Sequence, residues 1–182
     1  MNQFEAAIIL WIQENLRGFM DPFWKIITHL GDDGILWIAL GIILLCFKKT
    51  RPIGFTVLTS LLINFVIVNV TLKDLIARPR PFVTNELIKP LVGGVNKYTS
   101  FPSGHTSGSF SAMLALYRWV PKKIGIPAVI LATLVALSRL YVGVHYPTDL
   151  LGGFVVAFMA SAWSYYIVKK VQQKIGEKKE HA

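Results

Sequence analysis

Five long apolar segments, each ending in polar or basic residues, constrain this 182-residue sequence more than any other feature. Segments of this hydrophobicity are typical of helices that cross a lipid bilayer. The first of them is short for a span unless residues 30–34 add a turn. The pattern predicts an all-α fold, a polytopic membrane helix bundle with about five transmembrane helices. Their approximate extents are 35–47, 53–76, 102–120, 124–141 and 147–168.

The composition agrees with a membrane protein. Apolar residues make up 53% of the chain and charged residues 16%, compared with about 25% charged residues in soluble domains. The net charge is +9, but the charges lie at the ends of apolar segments and not along one soluble face, so we expect no nucleic acid partner. The length fits a single domain, 1–182. Cys46, the single cysteine, is predicted to be a buried thiol.

Both ends of the chain are predicted to lie beside the membrane. The apolar run within residues 4–17 is too short to span and is interrupted by charges, which favours an amphipathic helix in the interface. A second short helix is predicted from Met20 to Leu30, with Asp21 as its N-cap. The N-terminal region has no basic segment followed by a cleavage site, so a signal peptide is not expected. We therefore expect interfacial helices at 1–33, a transmembrane core at 34–168 and a basic cytoplasmic tail at 169–182.

The basic residues indicate an orientation. With five spans, eleven of the 19 lysines and arginines fall on one side of the membrane and eight on the other. The positive-inside rule places the richer side in the cytoplasm. The polar clusters described next would then face outward. The eleven are Lys48, Lys49, Arg51, Arg118, Lys122, Lys123, Lys169, Lys170, Lys174, Lys178 and Lys179.

Three polar clusters lie at the edges of the apolar segments between Lys73 and Asp149. A single lysine or arginine near a helix end can simply reach for the lipid head groups, which is the simpler interpretation of any one of them. Three helix ends that offer Lys73, Arg80 and Arg139 to one face are better explained by a bound phosphate. Arginine holds phosphate by paired hydrogen bonds and lysine holds it by its charge.

The second and third clusters supply groups for phosphoryl transfer. Ser103 is a natural N-cap, and Gly104 leaves the first N–H groups of a helix open to an anion. His145 precedes Asp149 by four residues at a helix start, so the carboxylate can hold one ring nitrogen and leave the other free to attack phosphorus. His105 can protonate the leaving oxygen. For each histidine alone, an ordinary interfacial residue is the simpler interpretation. That interpretation is weak for the two histidines together with Asp149 and the three cations.

The three clusters together resemble the three-part signature of the type 2 phosphatidic acid phosphatase (PAP2) superfamily, which also contains vanadium haloperoxidases and bacterial acid phosphatases. A second Arg-Pro pair begins at Arg78, but only Arg80 has the six-residue spacing from Lys73. The resemblance implies metal-independent hydrolysis through a phosphohistidine, with His145 as nucleophile, Asp149 orienting it and His105 as general acid. It implies that the phosphate is held by Lys73, Arg80, Ser103, Gly104 and Arg139.

The expected substrate is a lipid phosphate in the bilayer. The small five-helix form with an outward site resembles bacterial undecaprenyl-diphosphate phosphatases and phosphatidylglycerophosphate phosphatases of that superfamily. We expect undecaprenyl diphosphate, because an outward site suits recycling of a cell-wall carrier lipid; phosphatidylglycerophosphate or phosphatidate is the alternative. An inactive protein that binds or flips lipids is the alternative from another class, and the complete residue set argues against it. The spans argue against a haloperoxidase.

Other polar residues are not expected to join the site. The sequence has no HExxH motif, carboxylate cluster or Walker-type loop, so no metal, cofactor or nucleotide is expected. His29 is predicted to be interfacial and His181 to lie in the tail. Asp32 and Asp33 are interpreted as a turn.

Overall fold

The fold is all-helical, as the sequence predicts. The computed structural model describes residues 3–96 and 98–180, the last three as backbone only, so Lys97, His181 and the side chains of Lys178 and Lys179 lie outside the described part. Within that part the helices are α1 (Gln3–Asn15), α2 (Asp21–His29), α3 (Ile35–Cys46), α4 (Arg51–Phe65), α5 (Lys73–Ile76), α6 (Pro81–Thr84), α7 (Gly104–Tyr117), α8 (Lys122–Tyr141) and α9 (Pro147–Glu180). A 3-10 turn (Asp32–Gly34) precedes α3, and a π-helix (Val66–Leu72) joins α4 to α5.

Three stretches are long and apolar enough to cross a membrane: Arg51–Thr84, Lys122–Tyr141 and Pro147–Glu177. The helices α2 and α3 make a fourth candidate, bent by 43° at the turn between them. The helix α7 has 14 residues, and at 1.5 Å per residue it is about 21 Å long. That is shorter than the ~30 Å hydrocarbon core of a bilayer. The membrane helix bundle is confirmed, and the third of the five expected spans, 102–120, is this shorter helix.

The helix α7 lies inside the bundle and packs against α4, α8 and α9. Small residues permit this, because they let membrane helices approach closely. At Gly153 on α9, an added Cβ would lie 2.9 Å from the carbonyl oxygen of Ser103. At Gly152, it would lie 2.4 Å from ring carbons of Phe101. These two glycines therefore bring the segment before α7 directly onto the start of α9.

The π-helical segment changes the direction in which the end of the second span faces. A π-helix adds a residue per turn relative to an α-helix, and such segments are frequent at functional sites. Here Asn69 lies within it and Lys73 follows it, and the Lys73 ammonium donates to the Asn69 side-chain oxygen over 2.6 Å. Both side chains line the same cavity. The sequence reading predicted the span but not its π-helical part.

The N-terminal helices pack onto the end of the bundle at which α9 begins. Ala6 and Ile9 of α1 are buried together with Ile88 and Tyr146. Further along, the ring of Trp24 in α2 stacks on Tyr141 at the end of α8, with ring centroids 5.2 Å apart. The helices α1 and α2 therefore cover this end of the bundle.

Two local predictions are wrong. Asp21 is the first residue of α2 rather than its N-cap, which is Met20. Its carboxylate instead accepts hydrogen bonds from the Gly18 backbone and the Tyr141 hydroxyl, which draw it away from the helix start. Cys46 is exposed rather than buried. It lies at the end of α3, where the apolar surface of a membrane helix faces outward.

Candidate active site

A cavity of about 830 Å³ opens where the second span, α7, α8 and the loop before α9 meet. Six of the eight predicted site residues line it, and the other two, Ser103 and Asp149, are fully buried. The structure therefore brings residues from all three clusters together. The six are Lys73, Arg80, Gly104, His105, Arg139 and His145.

Asp149 is held as a hydrogen-bond acceptor at the start of α9. Its Oδ2 accepts from the Tyr146 backbone N–H over 2.8 Å and from the Ser100 hydroxyl, and lies 3.3 Å from Nδ1 of His145. Its Oδ1 accepts from Arg78 over 2.6 Å. A buried carboxylate with this many donors stays ionised and fixed in direction. It can therefore orient the imidazole of His145.

The hydrogen bonds of His145 determine its tautomer. Its Nε2 lies 3.1 Å from Nη1 of Arg80, and a guanidinium can only donate. Nε2 therefore carries the lone pair, and Nδ1 carries the proton that faces Asp149. Burial, helped by the charges of Arg80 and Arg139, lowers the pKa of His145 to about 3 even though Asp149 acts in the opposite direction. At neutral pH the ring is uncharged, with Nε2 facing the cavity, which is the form that nucleophilic attack requires.

Three cations surround this nitrogen without a carboxylate partner. Among the described residues, Lys73, Arg80 and Arg139 form no ion pair. The guanidinium of Arg139 is buried, and although one nitrogen donates to the Thr28 hydroxyl, its Nε has no hydrogen-bond partner. An unpaired buried charge is costly. A phosphate dianion in the cavity would supply both the missing charge and the missing acceptors.

The start of α7 forms another wall of the cavity. The Ser103 hydroxyl caps the helix by accepting from Thr106, and the Ser103 backbone N–H donates to the Asp149 carbonyl over 3.0 Å. At Gly104, an added Cβ would lie 3.3 Å from the Lys73 ammonium. The missing side chain therefore leaves room for an anion between the helix start and the lysine, where backbone N–H groups favour negative charge.

His105 is linked to residues that sequence reasoning placed elsewhere. Its Nε2 lies 2.9 Å from Oδ1 of Asp32, and Oδ2 of Asp32 lies 2.7 Å from Nδ1 of His29. Asp32 lies in a turn, as the sequence predicts, and both it and His29 also line the cavity. No signal beyond the break in the apolar pattern at Gly31–Gly34 points to them. Nowhere in the described chain are three His, Cys, Asp or Glu side chains placed to hold a metal ion.

Arg78 lies behind the site rather than in the cavity. It bridges Asp149 and Glu5 of α1, the latter over 2.8 Å. Glu5 also accepts from the backbone and hydroxyl of Thr148 over 2.9 and 2.6 Å. Burial alone would raise the pKa of Glu5, but the hydrogen bonds from Thr148 and Arg78 outweigh it and lower the pKa. The ionised Glu5 and Arg78 therefore fix Asp149 from the side away from His145.

Comparison with known proteins identifies the family of this chain. The model of the PAP2 superfamily matches residues 53–173. An undecaprenyl-diphosphatase of Sulfolobus acidocaldarius is 35% identical over 94% of this chain and 84% of its own length. Among solved structures, LpxE of Aquifex aeolicus has a TM-score of 0.78 at 25% identity and covers 88% of this chain and 94% of its own.

A transmembrane PAP2-type phosphatidylglycerolphosphate phosphatase of Bacillus subtilis has a TM-score of 0.73 at 28% identity, covering 95% of this chain and 86% of its own. The family match includes all eight predicted site residues, from Lys73 to Asp149. The chain is therefore a membrane phosphatase that belongs to the PAP2 superfamily.

Proposed function

We propose that this enzyme releases the terminal phosphate of undecaprenyl diphosphate on the outer side of a bacterial inner membrane. The observation that carries the proposal is a neutral His145 Nε2 at a cavity that is also lined by three cations without carboxylate partners. The rest of the cavity wall contains apolar side chains from α3 and α4, which suit a lipid tail. They are Ile38, Leu58, Leu61, Leu62 and Phe65.

In the first step, Nε2 of His145 attacks the terminal phosphorus and the bond to the bridging oxygen breaks. The leaving lipid phosphate takes the electron pair of that bond, and His105 supplies a proton where the leaving oxygen needs one. Asp149 stabilises the positive charge that develops on the His145 ring. Lys73, Arg80 and Arg139, with backbone N–H groups at Ser103 and Gly104, stabilise the charge on the transferring phosphoryl group.

In the second step, water attacks the phosphohistidine. The new P–O bond forms as the P–N bond breaks, and the electron pair returns to Nε2 of His145. Where His105 lost its proton in the first step, it accepts one from the water; otherwise the departing phosphate keeps that proton. Inorganic phosphate leaves, and both histidines are restored. The cycle needs no co-reactant other than water.

The choice of undecaprenyl diphosphate is supported by the relative of that name, which matches almost the whole chain. Phosphatidylglycerophosphate is the second candidate, because the Bacillus subtilis structure with that activity in its name is also similar over most of the chain. The chemistry at phosphorus is the same for both lipids. They differ in the leaving group, which is a phosphate in the first case and an alcohol oxygen in the second.

The outward orientation is supported by the positions of the basic residues. Lys169 packs over the ring of Trp119, with its ammonium 4.7 Å from the ring centroid, and Arg118 lies 5.7 Å from that of Tyr165. The basic loop after α7 and the basic part of α9 therefore share one end of the bundle. The site lies at the opposite ends of α7, α8 and α9. Under the positive-inside rule the basic end is cytoplasmic, so the site faces out.

Phosphate release by the purified protein tests the proposal. The substrates are undecaprenyl diphosphate, phosphatidylglycerophosphate and phosphatidate, each with EDTA present, and His145→Asn is the inactive control. We expect the highest kcat/KM for the diphosphate. We also expect a phosphorylated histidine in the wild type when the reaction is stopped without acid. Preference for a glycerophospholipid would transfer the proposal to phospholipid synthesis. Lack of turnover on every substrate would refute it in favour of a lipid-binding or lipid-flipping protein.

A further inference from the structure

The turn between α2 and α3 lies outside the three clusters, yet it contacts the proposed general acid. Asp32 in this turn lies 2.9 Å from Nε2 of His105, although 73 residues separate them. The contact is close because Gly31 has no side chain. An added Cβ there would lie 2.8 Å from Cδ2 of His105 and 2.5 Å from a methyl of Val135. The turn therefore packs directly against the His105 ring.

The hydrogen bond to Asp32 decides which nitrogen of His105 faces the reaction. An ionised carboxylate only accepts, so Nε2 of His105 carries a proton toward Asp32. Among the described residues, no group hydrogen-bonds to Nδ1 of His105. Nδ1 is therefore the nitrogen left to exchange a proton with the leaving oxygen. His29 holds the second oxygen of Asp32 over 2.7 Å and keeps the carboxylate in place.

The two histidines of the site are thus each paired with a carboxylate, through opposite ring nitrogens. Asp149 holds Nδ1 of His145 and leaves Nε2 free, whereas Asp32 holds Nε2 of His105 and leaves Nδ1 free. A carboxylate in this position fixes both the tautomer and the direction of an imidazole.

We propose that Asp32, supported by His29, is the positioning residue of the general acid His105. The proposal rests on the proposed function, since it assigns a partner to a group of that mechanism. It has a specific consequence for substrates. A leaving group that needs a proton, such as an alkyl oxygen, depends on the Asp32–His105 pair, whereas an activated aryl oxygen leaves without one.

The test compares kcat/KM for Asp32→Asn on two phosphomonoesters. This parameter reports the steps up to phosphohistidine formation and is insensitive to the later attack by water. The substrates are short-chain phosphatidylglycerophosphate, with an alkyl leaving oxygen, and p-nitrophenyl phosphate, with an aryl one. We expect a loss of about tenfold to 100-fold on the first substrate, as for partial removal of a general acid, and little loss on the second.

Asp33→Asn is the matched control, because it removes the same charge one residue along the chain. Asp33 is exposed and has a positive φ of 50°, a conformation that asparagine tolerates well. Asp33 also lines the cavity, so we expect any effect of its charge to be small and equal on the two substrates. His105→Gln should show the same substrate pattern as Asp32→Asn, and the double variant should be no worse than His105→Gln alone, because the two residues act as one unit.

Asp32→Glu distinguishes the loss of the carboxylate from a folding defect. It keeps the carboxylate and should recover part of the kcat/KM that Asp32→Asn loses on the alkyl substrate. Equal losses on both substrates, or an Asp32→Asn variant indistinguishable from Asp33→Asn, would overturn the role of Asp32. Those outcomes would leave the proposed function intact so long as the wild type is active and His145→Asn is not. Inactivity of the wild type on both substrates and on undecaprenyl diphosphate would instead refute the proposed function.

Discussion

Burial of an uncharged His145 makes the stability of this protein depend on pH. Its folded-state pKa is about 3, compared with about 6.5 for an unfolded histidine. The unfolded chain therefore binds more protons as the pH falls below 6.5, and the folded state loses stability. Between pH 7.5 and pH 5.0 the linkage relation gives a loss of about 2 kcal/mol from this residue alone. The stability is fully present above pH 6.5 and continues to fall toward pH 3.

The comparison variant is His145→Asn. The asparagine amide can donate to Asp149 as Nδ1 does, but it cannot titrate in this range. The assay is thermal unfolding in detergent at both pH values, in phosphate-free buffer, because a bound anion would favour the protonated ring. At about 2–4 °C per kcal/mol for a chain of this size, the wild type should lose about 4–8 °C more than the variant between the two pH values. Equal losses in the two proteins would refute a buried neutral imidazole.

Three further substitutions test the surroundings of the site. Gly31→Ala should lower kcat on an alkyl phosphate by more than tenfold, with a smaller change in KM, as measured by steady-state kinetics. The reason is that the new methyl displaces His105 and not the phosphate-binding residues. Glu5→Gln should lower the melting temperature by several degrees and reduce kcat, because it removes the charge of one of the two carboxylates that Arg78 bridges, and the position of Asp149 depends on Arg78. Gly153→Ala should destabilise the protein by about 1–3 kcal/mol, measured by denaturant or thermal unfolding, because its Cβ would press on the Ser103 carbonyl oxygen.

The sequence predicted the bundle and the grouping of the clusters because both depend on local patterns. Apolar segment lengths indicate membrane helices directly. The spacing of Lys73 from Arg80, and of His145 from Asp149, is short enough to be read along one segment. The structure places Lys73, Arg80 and His145 at one cavity. The roles of these residues in catalysis remain proposals that the kinetic tests address.

The contacts that the sequence did not predict are those between distant segments. Asp32 meets His105 across 73 residues, and Glu5 meets Thr148 across 143. Neither acidic residue lies in a recognisable motif, so no local signal indicates its partner. The helix α7 begins directly after the predicted N-cap Ser103 and ends at Tyr117, whereas the expected segment extended to residue 120.

The bridge from Glu5 through Arg78 to the start of α9 also has a consequence for biosynthesis. Glu5 precedes Thr148, which donates to it twice, by 143 residues, so it is translated well before its partner. The carboxylate of Glu5 must therefore wait for the start of α9 before it finds these hydrogen bonds. His145 and Asp149 are translated only at this same stage. On the proposed mechanism, a nascent chain that ends before them is inactive.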